Sequence, residues 1–90
     1  MFLEFHDFLY ERINMTIEEA VRKRINDLLN EKKISICAVS LDGGLTPSTL
    51  YDFMHGKSKH LQINTIKQIC MGFRITLKEF FDKEYFNDYE

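Results

Sequence analysis

The chain has 90 residues, 44% of them hydrophobic, which suffices for one modest domain around a single core. Its formal net charge at pH 7 is −2, from 14 acidic and 12 basic residues. No apolar run is longer than residues 36–39, which argues against a membrane-spanning helix. The first residues include Glu4 and Asp7 and lack the basic start of a signal peptide, so we expect a cytoplasmic protein with free thiols.

Residues 1–14 are predicted to form a helical N-terminal extension. Phe2, Phe5 and Leu9 would share one face of this helix. Met15 is an alternative start of the natural chain, because a helix cap follows it at once. Residues 15–82 form the predicted main domain, and residues 83–90 are an acidic, aromatic C-terminal tail.

The first helix of the main domain is predicted to begin after Thr16. Thr16 and Glu19 have the spacing of a capping box, in which each side chain bonds the backbone N–H of the other residue. Apolar residues then recur at helical spacing until the helix ends near Lys33: Ile17, Val21, Ile25, Leu28 and Leu29.

Residues 36–53 predict two short helices joined by a tight turn. Ser35 can cap the first of these helices. Ser40 is small where the two helices must approach closely. Gly44 can turn the chain, because glycine adopts positive φ without steric cost. This spacing is typical of a helix-turn-helix.

The second helix of the pair begins with Thr46 as the predicted N-cap and Pro47 in the first turn. Leu45 and Leu50 can close a hydrophobic staple around this start. Gly56 is predicted to end the helix.

Two further helices complete an all-α domain of five helices. The fourth has an apolar stripe at three- and four-residue steps: Ile63, Ile66, Ile69, Cys70 and Phe73. Thr76 and Glu79 form a second capping box, and Ile75 with Phe80 a second staple.

With these features the chain resembles the lambda-repressor-like family of Cro and cI type, XRE-like DNA-binding domains. The resemblance rests on the helix order, on the spacing of Ser40, Gly44, Leu50 and Phe53, and on two later segments, Gly56-Lys57 and residues 75–81. It implies that the second helix of the pair enters the major groove of DNA. Many members have glutamine where Ile36 stands here, and a buried arginine–glutamate pair at the positions of Leu29 and Met54.

The charge distribution is uneven along the chain. Residues 20–78 contain ten basic and four acidic side chains, a net charge of +6, whereas residues 1–19 and 79–90 each carry −4. The helix-turn-helix therefore lies in the part of the chain whose charge suits a phosphate backbone. A solvated surface of no special function is the alternative interpretation of these charges.

Candidate DNA contacts follow from the predicted orientation of the recognition helix. With Leu50, Phe53 and Met54 facing inward, Ser48, Asp52 and His55 point most directly outward. By resemblance, Ser48 and Asp52 match base-reading positions, and residues 57–59 match positions that meet phosphates through side chains and N–H groups. The predicted DNA-binding residues are Thr46, Pro47, Ser48, Thr49, Tyr51, Asp52, His55, Lys57, Ser58 and Lys59.

The cysteines and histidines show no catalytic or metal-binding pattern. Cys37 and Cys70 lack the paired close spacing of zinc ligands, and Cys70 falls on an apolar stripe. No nucleophile stands beside a histidine and an orienting acid, and no glycine loop could hold a phosphate. We expect no enzymatic activity, no cofactor, no metal and no small-molecule ligand.

Both ends of the chain are rich in aromatic residues: Phe2, Phe5, Phe8, Tyr10, Phe80, Phe81, Tyr85, Phe86 and Tyr89. Exposed apolar groups of this size indicate association, so we predict a homodimer through these ends. The alternative is that the two ends pack on each other or on their own domain.

The sequence as a whole predicts a sequence-specific transcriptional regulator, repressor-like and of bacterial or phage type, whose partner is double-stranded DNA. The alternative is a protein-interaction module, such as an antitoxin or accessory subunit, built on the same helices. A regulator must present Ser48, Lys57 and Lys59 on one accessible face, whereas an interaction module has no such requirement.

Overall fold

The computed structural model describes residues 15–87 and contains five α-helices and one 3-10 turn in that range. The helices are α1 (Ile17–Lys32), α2 (Ile36–Asp42), α3 (Pro47–Met54), α4 (Ile63–Phe73) and α5 (Leu77–Phe81), followed by the 3-10 turn Glu84–Phe86. The all-α prediction with five helices is confirmed. The predicted N-terminal helix of residues 1–14 lies outside the described residues.

Local capping interactions set the starts of three helices where the sequence predicts them. Thr16 and Glu19 form a reciprocal capping box at α1, with hydrogen bonds of 2.9 and 3.1 Å. Thr76 and Glu79 repeat this arrangement at α5, and the backbone N–H of Thr76 lowers the pKa of the Glu79 carboxyl. The Ser35 hydroxyl accepts the Ala38 N–H at 3.0 Å and caps α2.

The hydrophobic core lies between α1, α2, α3 and α4 and is closed by Phe80 of α5. Its fully buried side chains include Ile25, Val39, Leu50 and Ile69. Two predicted stripe residues are exceptions. Ile63 is 80% exposed and Ile17 57% exposed, because each occupies the first residue of its helix.

Helices α2 and α4 pack so closely that two glycines are required at their contact. A Cβ atom on Gly72 of α4 would overlap the carbonyl oxygen of Val39 in α2. In the other direction, a Cβ atom on Gly43 would overlap the Gln68 carbonyl oxygen of α4. The backbone of α2 thus rests against Gly72 of α4, and the backbone of α4 against Gly43, the C-cap residue of α2. These contacts fix α2 on α4.

A buried arginine connects α1 to the C-terminal end of α5. Arg24 is only 6% exposed, and its Nε and Nη2 atoms donate to the carbonyl oxygens of Phe80 and Glu79 at 2.7 and 2.8 Å. The last carbonyls of a helix have no intrahelical donor, so Arg24 supplies the hydrogen bonds that α5 lacks.

Three of the C-terminal aromatic residues, Phe80, Tyr85 and Phe86, pack within the domain, as the alternative interpretation predicts for them. Phe80 is fully buried, and Phe86 is half-buried against the core, 6.1 Å from the Phe80 ring. Burial and the Asp27 carboxylate raise the pKa of Tyr85 to about 12. These three side chains therefore contribute to intramolecular packing, whereas Phe81 is 36% exposed. The dimer through the aromatic ends stays a prediction.

The two cysteines lie in different environments. Cys70 is buried in the core, as the stripe predicts, and burial raises the pKa of its thiol to about 11. Cys37 is exposed at the start of α2.

Among the helices of residues 15–87, none has both the length and the apolar character needed to cross a bilayer.

Candidate nucleic-acid interface

The turn between α2 and α3 has the conformation that the sequence predicts. Gly44 has φ of 79°, the left-handed region that favours glycine. Ser40 is fully buried at the junction, and its carbonyl oxygen accepts the Leu45 N–H at 2.8 Å. The small side chain of Ser40 and the positive φ of Gly44 together set the angle at which α3 leaves α2.

Helix α3 is held on the domain by its inner face. Leu50 and Phe53 are buried in the core. The Arg22 side chain of α1 donates from Nε to the Phe53 carbonyl oxygen at 2.9 Å, with its guanidinium 4.7 Å above the Phe53 ring. The sequence gives no local signal for this role of Arg22, because the contact spans 31 residues.

The outer face of α3 contains most of the predicted base-reading residues. Ser48 and Thr49 are exposed at the first turns, Tyr51 is 51% exposed, and His55 is exposed at the C-terminal end. Asp52 is only partly exposed, as is Pro47. The outward direction is thus confirmed for Ser48 and His55, while Asp52 points less fully into solvent.

Thr46 occupies the N-cap position of α3, but its side chain does not cap the helix. Its hydroxyl instead lies 2.9 Å from the Thr49 hydroxyl, in a hydrogen bond that either group can donate. The predicted hydrogen bond from a helix N–H to the Thr46 hydroxyl is therefore wrong, because the Thr46 hydroxyl pairs with the Thr49 hydroxyl instead. The exposed hydroxyl groups of Thr46 and Thr49 thus belong to residues on either side of Ser48 in the sequence.

The segment after α3 folds back on the helix. The N–H groups of Lys57 and Ser58 both donate to the Asp52 carbonyl oxygen, at 2.9 and 3.3 Å. Gly56, with φ of 80°, makes this reversal possible, as the sequence predicts. The backbone N–H groups of Lys57 and Ser58 are thus bonded within the chain, whereas the side chains of Lys57 and Lys59 are exposed.

Two further contacts shape this surface and were not predicted. The Tyr51 and His55 rings stack with their centroids 3.9 Å apart. The imidazole of His60 lies 3.1 Å from a carboxylate oxygen of Glu18, and a backbone hydrogen bond together with His60 lowers the pKa of Glu18. The His60 contact connects the segment after α3 to the start of α1. The i, i+4 spacing of Tyr51 and His55 is compatible with their stacking but does not by itself predict it. No sequence signal indicates the contact between His60 and Glu18.

Leu29 and Met54 stand at the positions where the resemblance implies a charged pair in other members. Both side chains are half-buried and pack against the same core. An apolar pair at these positions avoids the desolvation cost of a buried ion pair.

The family model of the Cro/C1-type HTH DNA-binding domain matches residues 24–84, about two-thirds of the chain. The chain therefore belongs to this family, and its fold is that of a DNA-binding helix-turn-helix domain. Searches of curated proteins and of solved structures gave no significant match.

Proposed function

We propose that the chain is a sequence-specific transcriptional regulator, repressor-like and of bacterial or phage type, that acts by occupying an operator. The observation that carries this proposal is the exposure of polar and basic side chains on α3 and in the segment after it. Ser48 stands near the N-terminal end of α3, and Lys57 and Lys59 follow its C-terminal end. All three side chains are exposed, on a helix whose inner face is fixed by Leu50, Phe53 and Arg22.

This arrangement separates the two parts of DNA recognition. Side chains on the outer face of α3, above all Ser48, would meet base edges in the major groove and supply sequence preference. Lys57 and Lys59 would meet phosphates, which set the position of the helix without reading sequence. The rigid attachment of α3 holds the two sets at a fixed distance.

Replacement of either lysine is expected to weaken DNA binding on every sequence. Lys57→Ala or Lys59→Ala removes one phosphate contact, so the slope of log affinity against log salt should fall by about one for each variant. Fluorescence anisotropy with duplex DNA over a range of salt concentrations measures both quantities. The duplex is first obtained by selecting genomic fragments with the purified protein.

Lys32→Ala is the matched control, because Lys32 is an exposed lysine near Glu79, at the end of α1. It should change the salt slope by less than either variant. Binding that does not depend on salt, or no binding to any duplex at low salt, would contradict the proposal and favour the protein-interaction module.

We also propose that the regulator is a homodimer. Since Phe80, Tyr85 and Phe86 pack on the domain, the aromatic residues of segment 1–14 become the principal candidates for the contact. A two-fold dimer would place two recognition helices in successive major grooves, so half-sites should lie about 10 base pairs apart, or a multiple of this, in an imperfect palindrome.

Removal of residues 1–14 is expected to raise the monomer fraction and reduce operator affinity, while the helical content of the body stays near that of the full chain. Equilibrium sedimentation and circular dichroism measure these properties. Tyr85→Ser with Phe86→Ser should instead lower the stability of the body, because both rings pack against it. A full-length chain that remains monomeric at micromolar concentration, free and on DNA, would refute the dimer.

A further inference from the structure

The stacked pair at the C-terminal end of α3 fixes the hydrogen position on one histidine nitrogen. The planes of the Tyr51 and His55 rings are inclined by 23°, and the His55 Nδ1 atom lies 2.9 Å from the backbone carbonyl oxygen of Tyr51. A carbonyl oxygen can only accept a hydrogen bond, so Nδ1 must be the donor. Nδ1 therefore carries a hydrogen in both the neutral and the protonated ring.

The hydrogen-bonding role of the second ring nitrogen, Nε2, consequently depends on whether the ring is neutral or protonated. In the neutral ring it presents a lone pair and can only accept a hydrogen bond. In the protonated ring it donates a hydrogen bond and the ring is positively charged. A phosphate oxygen is an acceptor with negative charge, so it can bind Nε2 only when His55 is protonated. Histidine is the side chain that ordinarily changes charge between about pH 5 and 8.

The position of His55 places it at the phosphate end of the proposed interface. It directly precedes Gly56 and the exposed lysines Lys57 and Lys59. It also lies about 10 Å along the helix from Ser48, at the rise of an α-helix. The exposed imidazole of His55 thus belongs to a residue that is next, in the sequence, to the groups proposed to meet the DNA backbone.

His55 is exposed and lies among charged residues of the sequence. In the sequence, the charged residues next to it are Asp52 on α3 and Lys57 and Lys59 in the segment that follows, while Arg22 of α1 is bonded to the Phe53 carbonyl. Within residues 15–87 no ion pair holds the His55 ring. The Tyr51 face is compatible with a positive charge, because an aromatic ring attracts cations.

We propose that His55 is a pH-gated phosphate contact, which binds the DNA backbone through Nε2 only in its protonated form. DNA affinity should then rise as the pH falls, to a similar extent on all sequences. This proposal rests on the proposed DNA-binding function and adds a regulation of the same surface.

The first test measures binding of a fluorescein-labelled duplex of mixed sequence at low, constant ionic strength, from about pH 5.5 to 8. The wild-type affinity should fall by about tenfold over this range, the contribution of one charge-assisted hydrogen bond. His55→Gln should lose most of this pH dependence, because the glutamine amide does not titrate. His55→Lys should bind at high pH about as tightly as the wild type does at low pH, because its charge is permanent.

His60→Gln and His6→Gln are the matched controls, and both should retain the pH dependence. His60 is an exposed histidine whose side chain is 83% accessible, in the segment after α3. Retention of the wild-type pH dependence by His55→Gln would overturn the proposal while leaving DNA binding intact. Failure of every variant to bind any duplex would instead overturn the proposed function.

The second test needs no DNA. Nitrogen-15 NMR of the histidine-labelled full chain reports which ring nitrogen carries the hydrogen in the neutral form. We expect the Nδ1–H tautomer for His55. The Nε2–H tautomer would overturn the proposal, because neutral His55 could then already donate to a phosphate.

Discussion

Gly72→Ala is expected to destabilise the domain by about 3 kcal/mol or more, at the upper end of the range for overpacked interiors. The added Cβ atom would overlap the Val39 carbonyl oxygen, which belongs to the backbone and cannot rotate away. Helices α2 and α4 must then move apart. Alanine is a better helix former than glycine by about 1 kcal/mol, and this gain offsets only part of the loss.

Urea unfolding followed by circular dichroism measures this effect as a lower midpoint at unchanged slope. Met71→Ala is the control, since Met71 is the preceding residue and is 56% exposed. It should change the free energy of unfolding by less than about 0.5 kcal/mol, the usual limit for surface sites. A Gly72→Ala variant as stable as Met71→Ala would show that the two backbones are not in contact.

Arg24→Met is expected to destabilise the domain by about 3 kcal/mol or more, because two hydrogen bonds from a charged donor are lost. Methionine can fill much of the same space, but the acceptors are the backbone carbonyls of Glu79 and Phe80 and stay in place. The Phe80 carbonyl oxygen then loses its side-chain donor, and the Glu79 carbonyl oxygen keeps the Asp82 N–H at 3.4 Å. Arg24→Lys should restore only part of the loss, since lysine lacks the planar fork of arginine.

Asn26→Met is the control for the arginine variants, because residue 26 is an exposed position of the same helix. Its effect should lie within about 0.5 kcal/mol. Equal stability of the Arg24→Met and Asn26→Met variants would contradict the role given to Arg24. Denaturant titration of the three variants gives the comparison directly.

The features predicted correctly from the sequence depend on residues close together in the chain. The capping boxes of Thr16 with Glu19 and Thr76 with Glu79 join residues three positions apart, and the turn at Gly44 needs only its own positive φ. Helical periodicity likewise places Ile66, Ile69, Cys70 and Phe73 on the buried face of α4. Local chemistry decides such features, so the sequence is sufficient to predict them.

The predictions that are wrong or missing concern contacts between distant segments, or a local hydrogen bond that forms in place of the predicted one. Periodicity places Ile63 on the buried stripe of α4 but does not show that the first residue of α4 extends beyond the core. The Gly72 contact with Val39 and the Arg24 bonds to α5 each depend on the packing of separate helices. At the candidate site, the sequence indicates which side chains of α3 face outward. It does not indicate that Thr46 bonds Thr49, or that His55 stacks on Tyr51.

The Arg24 contacts also make folding depend on the far end of the domain. The donor and its two acceptors are 55 and 56 residues apart, so the contacts cannot form while the chain ends before α5. A nascent or truncated chain without α5 would lack both acceptors of the Arg24 guanidinium, and it would also lack Phe80, which closes the core. Arg24 therefore couples the stability of α1 to the presence of α5, so a chain that ends before α5 lacks the contacts that complete the domain.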